Sequence, residues 1–280
     1  MSPETFRPPR PPATLTEGAV RGWHILILYG LIFVSMYVAS AKLARDIDPD
    51  LRNAWRMVVM QGLTASLVAL VSLAVPELRR SLGELYLRPR ATMSAGDVLL
   101  FLGLMLTWAL GAHRLLLLFP LLQWDPSLFS PLGFTEHGSR PAGVSGLFIL
   151  LAIAFVAPAA EELVFRGYLL NLWRRRWGLW PGIIMSTVIF GIGHGNAIVF
   201  ATVAGLFLCL SYLRFGSLVP GTLLHSAYNI IGGPFGLAPF FLEKNQSEVL
   251  EISAWMPEAV LTIAFFPLLY IFWRRFRPGN

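Results

Sequence analysis

Residues 146–170 read GLFILLAIAFVAPAAEELVFRGYLL and place two adjacent glutamates inside an apolar stretch, with an arginine one helical turn further on. The charged residues are Glu161, Glu162 and Arg166. On membrane-insertion scales, each ionised side chain at a helix centre costs about 2.5–3.5 kcal/mol. A helix that carries three such residues within six positions is expected to need them for function, so this segment is the leading active-site candidate.

The composition is typical of a polytopic membrane protein. Of the 280 residues, 55% are hydrophobic and 14% are charged, whereas soluble domains carry about 25% charged residues. We therefore predict an all-α polytopic membrane helix bundle. The formal net charge is +6, but the basic residues flank apolar runs and do not form one patch or stripe. This pattern indicates membrane topology and predicts no nucleic-acid partner.

Apolar runs near the bilayer-crossing length of about 20 residues predict about eight transmembrane helices. The predicted spans are Trp23–Leu43, Arg56–Val75, Val98–Leu118, Val144–Trp173, Pro181–Gly193, Ala197–Leu213, Leu218–Ile231 and Met256–Trp273. The fifth to seventh are short for a full crossing, which is typical of segments that end inside the protein around a cavity. The excess of Lys and Arg on one side predicts a multi-pass protein of the cell membrane with both termini in the cytoplasm.

Four regions follow from these spans. Residues 1–20 are rich in proline and have no core-forming pattern, so we predict a disordered tail. Residues 21–143 are predicted to form N-terminal membrane helices, and residues 144–231, which contain the active-site candidate, a catalytic membrane core. Residues 232–280 are predicted to be a loop followed by a C-terminal membrane helix.

The two glutamates are expected to differ in role. Glu162 and Arg166 lie four residues apart, so on a helix they share a face and can form an ion pair. Glu161 is rotated by about 100° from Glu162 and is left as a candidate general base. Pro158, just before them, is expected to open the backbone hydrogen-bond ladder locally.

Two later apolar segments add polar groups. His194 follows Phe190 by one helical turn, and His225 and Asn229 share a helix face at a spacing of four. A carboxylate, an imidazole and a histidine–asparagine pair suit the attack of water on a carbonyl group. Glu161 and His194 would hold and deprotonate the water, and His225 and Asn229 would donate to the developing oxyanion.

These three motifs together resemble the CAAX-protease and bacteriocin-processing (CPBP) family of intramembrane proteases, which includes type II CAAX prenyl endopeptidases. The similarity covers about residues 144–231. It implies that Glu161 and His194 activate water, that Glu162 and Arg166 support the site, and that His225 and Asn229 form the oxyanion hole. It also implies a membrane-lipid environment and a peptide, lipidated-protein or sorting-tail substrate.

Other functions remain open from the residues alone. Glu161, His194 and His225 could together bind zinc, but no His-Glu-x-x-His helix is present, so catalysis without a cofactor ranks first. Short helices and buried charges also fit a transporter, although no inverted repeat is evident. A non-catalytic membrane scaffold is the third alternative.

Overall fold

The computed structural model describes residues 12, 21–43, 49–86, 92–125, 143–231 and 248–277. These residues form nine helices and contain no strand, which confirms the predicted all-α fold. In chain order they are α1 (Gly22–Leu43), α2 (Pro49–Ala74), α3 (Pro76–Tyr86), α4 (Ala95–Trp124), α5 (143–177), α6 (Leu179–Ile192), α7 (Ile198–Phe215), α8 (Leu218–Ile231) and α9 (Met256–Phe276). Almost all of the predicted disordered tail and most of the loop after α8 lie outside the described residues.

Five of the described helical stretches are long and apolar enough to cross a membrane, namely those of α1, α4, α5, α7 and α9. A sixth crossing is obtained if α2 and α3, which are bent by 107° at Val75, are taken as one span. The bend coincides with Pro76, which has no N–H for the helical ladder and therefore favours a new helix start. The polytopic bundle is thus confirmed, whereas the predicted count of eight transmembrane helices is not.

The difference in count comes mainly from α6 and α8. Each has 14 residues, which at about 1.5 Å per residue is about 21 Å, well short of a hydrocarbon layer of about 30 Å. Both pack against α5 or α7 within the bundle. Trp180 and Ile192, near the two ends of α6, are 42% and 58% exposed, so the expectation that the short segments end inside the protein is not confirmed for α6.

The backbone of α5 is irregular around the two glutamates. π-Helical turns occupy Ala152–Val156 and Glu162–Leu169, on either side of a short α-helical stretch that contains Pro158. Proline cannot donate to the ladder, so its neighbours adopt wider hydrogen bonding. The predicted opening of the ladder before the glutamates is confirmed. Wide turns of this kind are frequent at functional sites because they re-aim side chains.

Two apolar clusters hold the bundle together. The first surrounds the second half of α5 and draws buried residues from α1, α2, α3, α6, α7 and α8. The second joins α4, α7, α8 and α9 and is dominated by aromatic and leucine side chains. Phe200 and Leu206 of α7 pack against both clusters. Helix α7 therefore packs against both clusters. The charged residues of α5 lie on the side of the first cluster.

Candidate active site

Glu162 is completely buried and is held by a cation from its own helix. Arg166 Nη1 donates to Glu162 Oε1 at 2.8 Å, and neither side chain is exposed. Arg166 Nη2 also donates to the carbonyl of Gly205 on α7 at 3.1 Å. The guanidinium lies 4.3 Å from the centroid of the Phe190 ring on α6. The pair predicted from the spacing of four is confirmed, and it also ties α5 to α6 and α7.

His225 joins both glutamates to α8. Its Nδ1 lies 3.1 Å from Glu162 Oε1, and its Nε2 lies 3.9 Å from Glu161 Oε2. An ionised carboxylate only accepts hydrogen bonds, so Nδ1 donates to Glu162. The second carboxylate oxygen of Glu162, Oε2, has no hydrogen-bond partner among the described residues. It faces Gly221, where an added Cβ would lie 3.4 Å away.

Glu161 and His194 line the same cavity, which has a volume of about 270 Å³. Four of its lining residues have polar side chains: Tyr29, Gln61, Glu161 and His194. The other lining residues are apolar or glycine. The Glu161 side chain is 13% exposed, whereas that of Glu162 is fully buried. The two adjacent carboxylates are thus in different environments, one facing open space and one closed in by partners.

His194 follows the end of α6 and is oriented by a backbone group. Its Nδ1 lies 2.7 Å from the carbonyl oxygen of Phe190. Because a carbonyl only accepts, Nδ1 carries the hydrogen, and in the neutral imidazole Nε2 then has a lone pair that can accept a hydrogen bond. The Phe190 ring contacts both imidazoles, with centroids 4.5 Å from His194 and 6.2 Å from His225. Phe190 therefore fixes the two histidines relative to Arg166.

Asn229 is hydrogen bonded to α5 at Ile153, on the N-terminal side of the two glutamates. Its amide nitrogen donates to the carbonyl oxygen of Ile153 at 2.8 Å, where a π-helical turn leaves this oxygen accessible. Neither Asn229 nor His225 is among the residues that line the cavity. The structure therefore brings Glu161 and His194 to one cavity and links His225 to both glutamates. Asn229 of α8 also bonds to α5 and uses one of its two side-chain N–H groups to do so.

A preformed metal site is not evident in the part of the chain that the structure describes. No group of three or more His, Cys, Asp and Glu side chains there is arranged to hold a metal ion. The alternative zinc set of Glu161, His194 and His225 accordingly does not form a ready coordination shell. The only cysteine of the chain, Cys209, is buried in the apolar cluster around α5 and is a free thiol.

Two cavity residues were not singled out from the sequence. Tyr29 of α1 and Gln61 of α2 lie in the N-terminal helices, far in sequence from the three motifs. A lone glutamine in an apolar run was a signal that could have been noticed, because polar groups in membrane helices usually face protein. The sequence does not indicate which cavity these two side chains would line.

Comparison with known proteins agrees with the motifs. Residues 143–231 match a family model described as "Type II CAAX prenyl endopeptidase Rce1-like", which confirms the family resemblance over that segment. The chain is also 34% identical over 97 residues to an "Uncharacterized 24.3 kDa protein" of Escherichia coli. That alignment covers 32% of this chain and 45% of the relative, so the chain spans less than half the length of the curated relative it matches. No solved structure gives a significant match.

Proposed function

We propose that this chain, whose residues 143–231 match the Rce1-like type II CAAX prenyl endopeptidases, is an intramembrane endopeptidase. It would cut a peptide bond near the C-terminus of a membrane-associated protein or peptide. The observation that carries the proposal is that the two adjacent glutamates have different surroundings. Glu162 is buried and held by Arg166 and His225, while its neighbour Glu161 faces a cavity that it shares with His194.

In this proposal Glu161 and His194 prepare the nucleophile. A water in the cavity donates one hydrogen bond to the Glu161 carboxylate and one to the Nε2 lone pair of His194. Glu161 takes the proton as the water oxygen attacks the carbonyl carbon of the substrate. The proton then passes to the leaving nitrogen as the C–N bond breaks. The Phe190 carbonyl supports this role because it holds the His194 ring in the required tautomer.

His225 and Asn229 are the proposed donors to the oxyanion that forms during attack. Asn229 donates one N–H to Ile153, which leaves the other available and restrains the orientation of the carboxamide. His225 already donates from Nδ1 to Glu162, so donation from Nε2 requires an imidazolium that carries both hydrogens. The two glutamates lie on either side of the ring, with Glu162 Oε1 3.1 Å from Nδ1 and Glu161 Oε2 3.9 Å from Nε2.

Glu162 and Arg166 act in this scheme by positioning. Arg166 bonds to Glu162 and to the Gly205 carbonyl, and its guanidinium lies over the Phe190 ring. One side chain therefore links parts of α5, α6 and α7. Rigid support of this kind matters because a displacement of about 1 Å at the reacting groups can cost about 100-fold in rate. The cluster accordingly supports the geometry of Glu161 and His194 without contacting the reacting atoms.

A prenylated C-terminal tail is the substrate class that the family description favours. The cavity supports this choice, because apart from its four polar side chains its lining is apolar or glycine. A signalling peptide and a sorting tail present the same scissile amide and are the competing classes. We place the enzyme in the cell membrane with both termini in the cytoplasm, on the distribution of Lys and Arg.

The proposal is tested with the full chain reconstituted in lipid nanodiscs and a fluorescence-quenched, S-farnesylated peptide that ends in the tripeptide to be released. Wild type should cleave it, and Glu161→Gln and His194→Ala should each reduce kcat/KM by at least about 100-fold. Glu251→Gln and His24→Ala remove the same groups at exposed positions and should retain full activity. Equal turnover by wild type and Glu161→Gln would overturn the assignment.

The same purified chain separates the other functional classes. Movement of a solute into proteoliposomes that contain it, without cleavage of any peptide, would favour a transporter. Activity that disappears with a chelator and returns with about one bound zinc per chain would favour the metal-dependent alternative. Unaltered protein termini in cells that lack the chain would favour a scaffold.

A further inference from the structure

The proposed mechanism assigns no role to the two polar cavity residues of the N-terminal helices. Tyr29 lies on α1 and Gln61 on α2, and both line the cavity that contains Glu161 and His194. The Tyr29 ring packs edge-on against Phe165, with centroids 5.5 Å apart. Neither the Tyr29 hydroxyl nor the Gln61 carboxamide is hydrogen bonded to another described residue.

An unpartnered carboxamide in an apolar membrane cavity is costly unless something binds to it. Leaving a polar group without a partner in an apolar environment costs about 1–3 kcal/mol by protein mutational measures. The glutamine side chain is equivalent to a peptide group, since it offers both N–H donors and a C=O acceptor. Its natural complement is therefore another amide, such as one in the backbone of an extended peptide.

We propose that Gln61 binds a backbone amide of the substrate peptide, with the Tyr29 hydroxyl as an auxiliary hydrogen-bond donor. This inference rests on the proposed function and adds the residues that hold the peptide while Glu161 and His194 act. Both groups lie outside residues 143–231, the segment that matches the family model. The peptide would thus be clamped between the N-terminal helices and the catalytic core, and α1 and α2 would contribute to substrate selection.

The alternative explanation for Gln61 is an interhelical hydrogen bond that simply holds helices together. Polar residues in membrane helices often serve this purpose. The neighbours of Gln61 in the cavity wall argue against it, because the only polar side chains there besides Gln61 are Tyr29, Glu161 and His194. Among the described residues none of these three bonds to Gln61. The Gln61 carboxamide is therefore left without a partner among the described residues of the cavity wall.

Binding of the S-farnesylated peptide is measured by fluorescence anisotropy with the full chain in nanodiscs, in the Glu161→Gln background so that the peptide is not consumed. Gln61→Met keeps a similar length and shape and removes the amide. We expect it to raise the dissociation constant about 30-fold, since the N–H and the C=O of one peptide group both lose their partners. Tyr29→Phe should raise it about fivefold, because one hydroxyl is lost. Leu70→Met, on an exposed part of the same helix, is the matched control and should bind like the parent.

A second measurement distinguishes direct contact from an indirect effect on folding. Each backbone amide of the peptide is replaced in turn by an ester, which removes one N–H and weakens one C=O. One replacement should weaken binding in the parent and have little further effect in Gln61→Met. If every ester has the same effect in both proteins, or if Gln61→Met binds within twofold of the parent, the inference is wrong.

The outcomes also separate this inference from the proposed function. Cleavage by wild type together with unchanged binding in Gln61→Met overturns the Gln61 assignment and leaves the endopeptidase intact. Absence of binding by Glu161→Gln together with absence of cleavage by wild type overturns the prenylated-tail substrate class and, with it, the Gln61 assignment. A 30-fold effect that the ester series localises to one amide supports both.

Discussion

Replacement of Arg166 by methionine tests how the buried cluster is held. The guanidinium makes an ion pair of 2.8 Å with Glu162, a hydrogen bond of 3.1 Å with the Gly205 carbonyl and a contact of 4.3 Å with the Phe190 ring. Methionine fills a similar volume but replaces none of these polar contacts. The change leaves the Glu162 carboxylate buried, with His225 as its remaining partner.

The magnitude follows from what is left behind. Removing one partner of a buried ion pair costs about 3–5 kcal/mol, because the other charge stays desolvated. Here His225 still donates to Glu162 at 3.1 Å, so we expect a loss of about 3 kcal/mol, at the lower end of that range. In the double variant Glu162→Gln, Arg166→Met no ionised group of the pair remains. Its loss should be only about 1 kcal/mol, since a neutral amide can still bond to His225.

The free energy of unfolding is measured by titrating the detergent-solubilised chain with SDS and following the fluorescence of its nine tryptophans. Arg79→Met is the matched control, because Arg79 is exposed on α3 and its loss should change stability by less than about 0.5 kcal/mol. The key comparison is between the single and double variants. If the double variant is destabilised as much as Arg166→Met alone, Glu162 is not the charge that Arg166 neutralises and the positioning argument fails.

Three further expectations concern packing, the oxyanion and metal. A Cβ at Gly191 would overlap Thr202 Oγ1 and lie 2.8 Å from the carbonyl oxygen of Ile198, so Gly191→Ala should cost about 1–3 kcal/mol and reduce activity by displacing the end of α6. Gly83→Ala, where an added Cβ meets nothing within 4 Å, should be neutral or stabilising by up to about 1 kcal/mol in the same titration. Asn229→Ala should lower kcat by about 100- to 1000-fold with little change in KM, and a raised KM at full kcat would contradict an oxyanion role. Treatment with EDTA followed by dialysis should leave kcat/KM unchanged, whereas loss that zinc restores would establish the metal-dependent route.

The local chemistry of the site was accessible from the sequence because it depends on helical spacing. A separation of four residues predicted the pair of Glu162 and Arg166, and Pro158 predicted the irregular ladder before them; both are confirmed. The same spacing predicted that His225 and Asn229 share a face, and both contact α5. These relations are set within one or two helical turns, where backbone geometry fixes the arrangement.

The number of crossings and the full cavity lining depend on tertiary packing and were less accessible. The apolar runs of α6 and α8 read as spans, yet each is a 14-residue helix packed within the bundle. The cavity wall formed by Tyr29 and Gln61 arises because α1 and α2 pack against each other and against α5. No local pattern specifies such a contact between distant segments. The bond from Asn229 to the Ile153 carbonyl likewise depends on a π-helical turn that hydropathy does not reveal.

Hydrolysis by Glu161 is best examined in living cells, where no substrate has to be chosen beforehand. Protein C-termini in membranes are compared quantitatively between cells that carry the wild-type chain and cells that carry Glu161→Gln, with Glu251→Gln as the matched control. We predict a small set of membrane-associated proteins or peptides whose chains end several residues later in the Glu161→Gln cells only. Identical termini in all three strains, with the variant chain present at the wild-type level, would contradict the assignment of this protein as an endopeptidase.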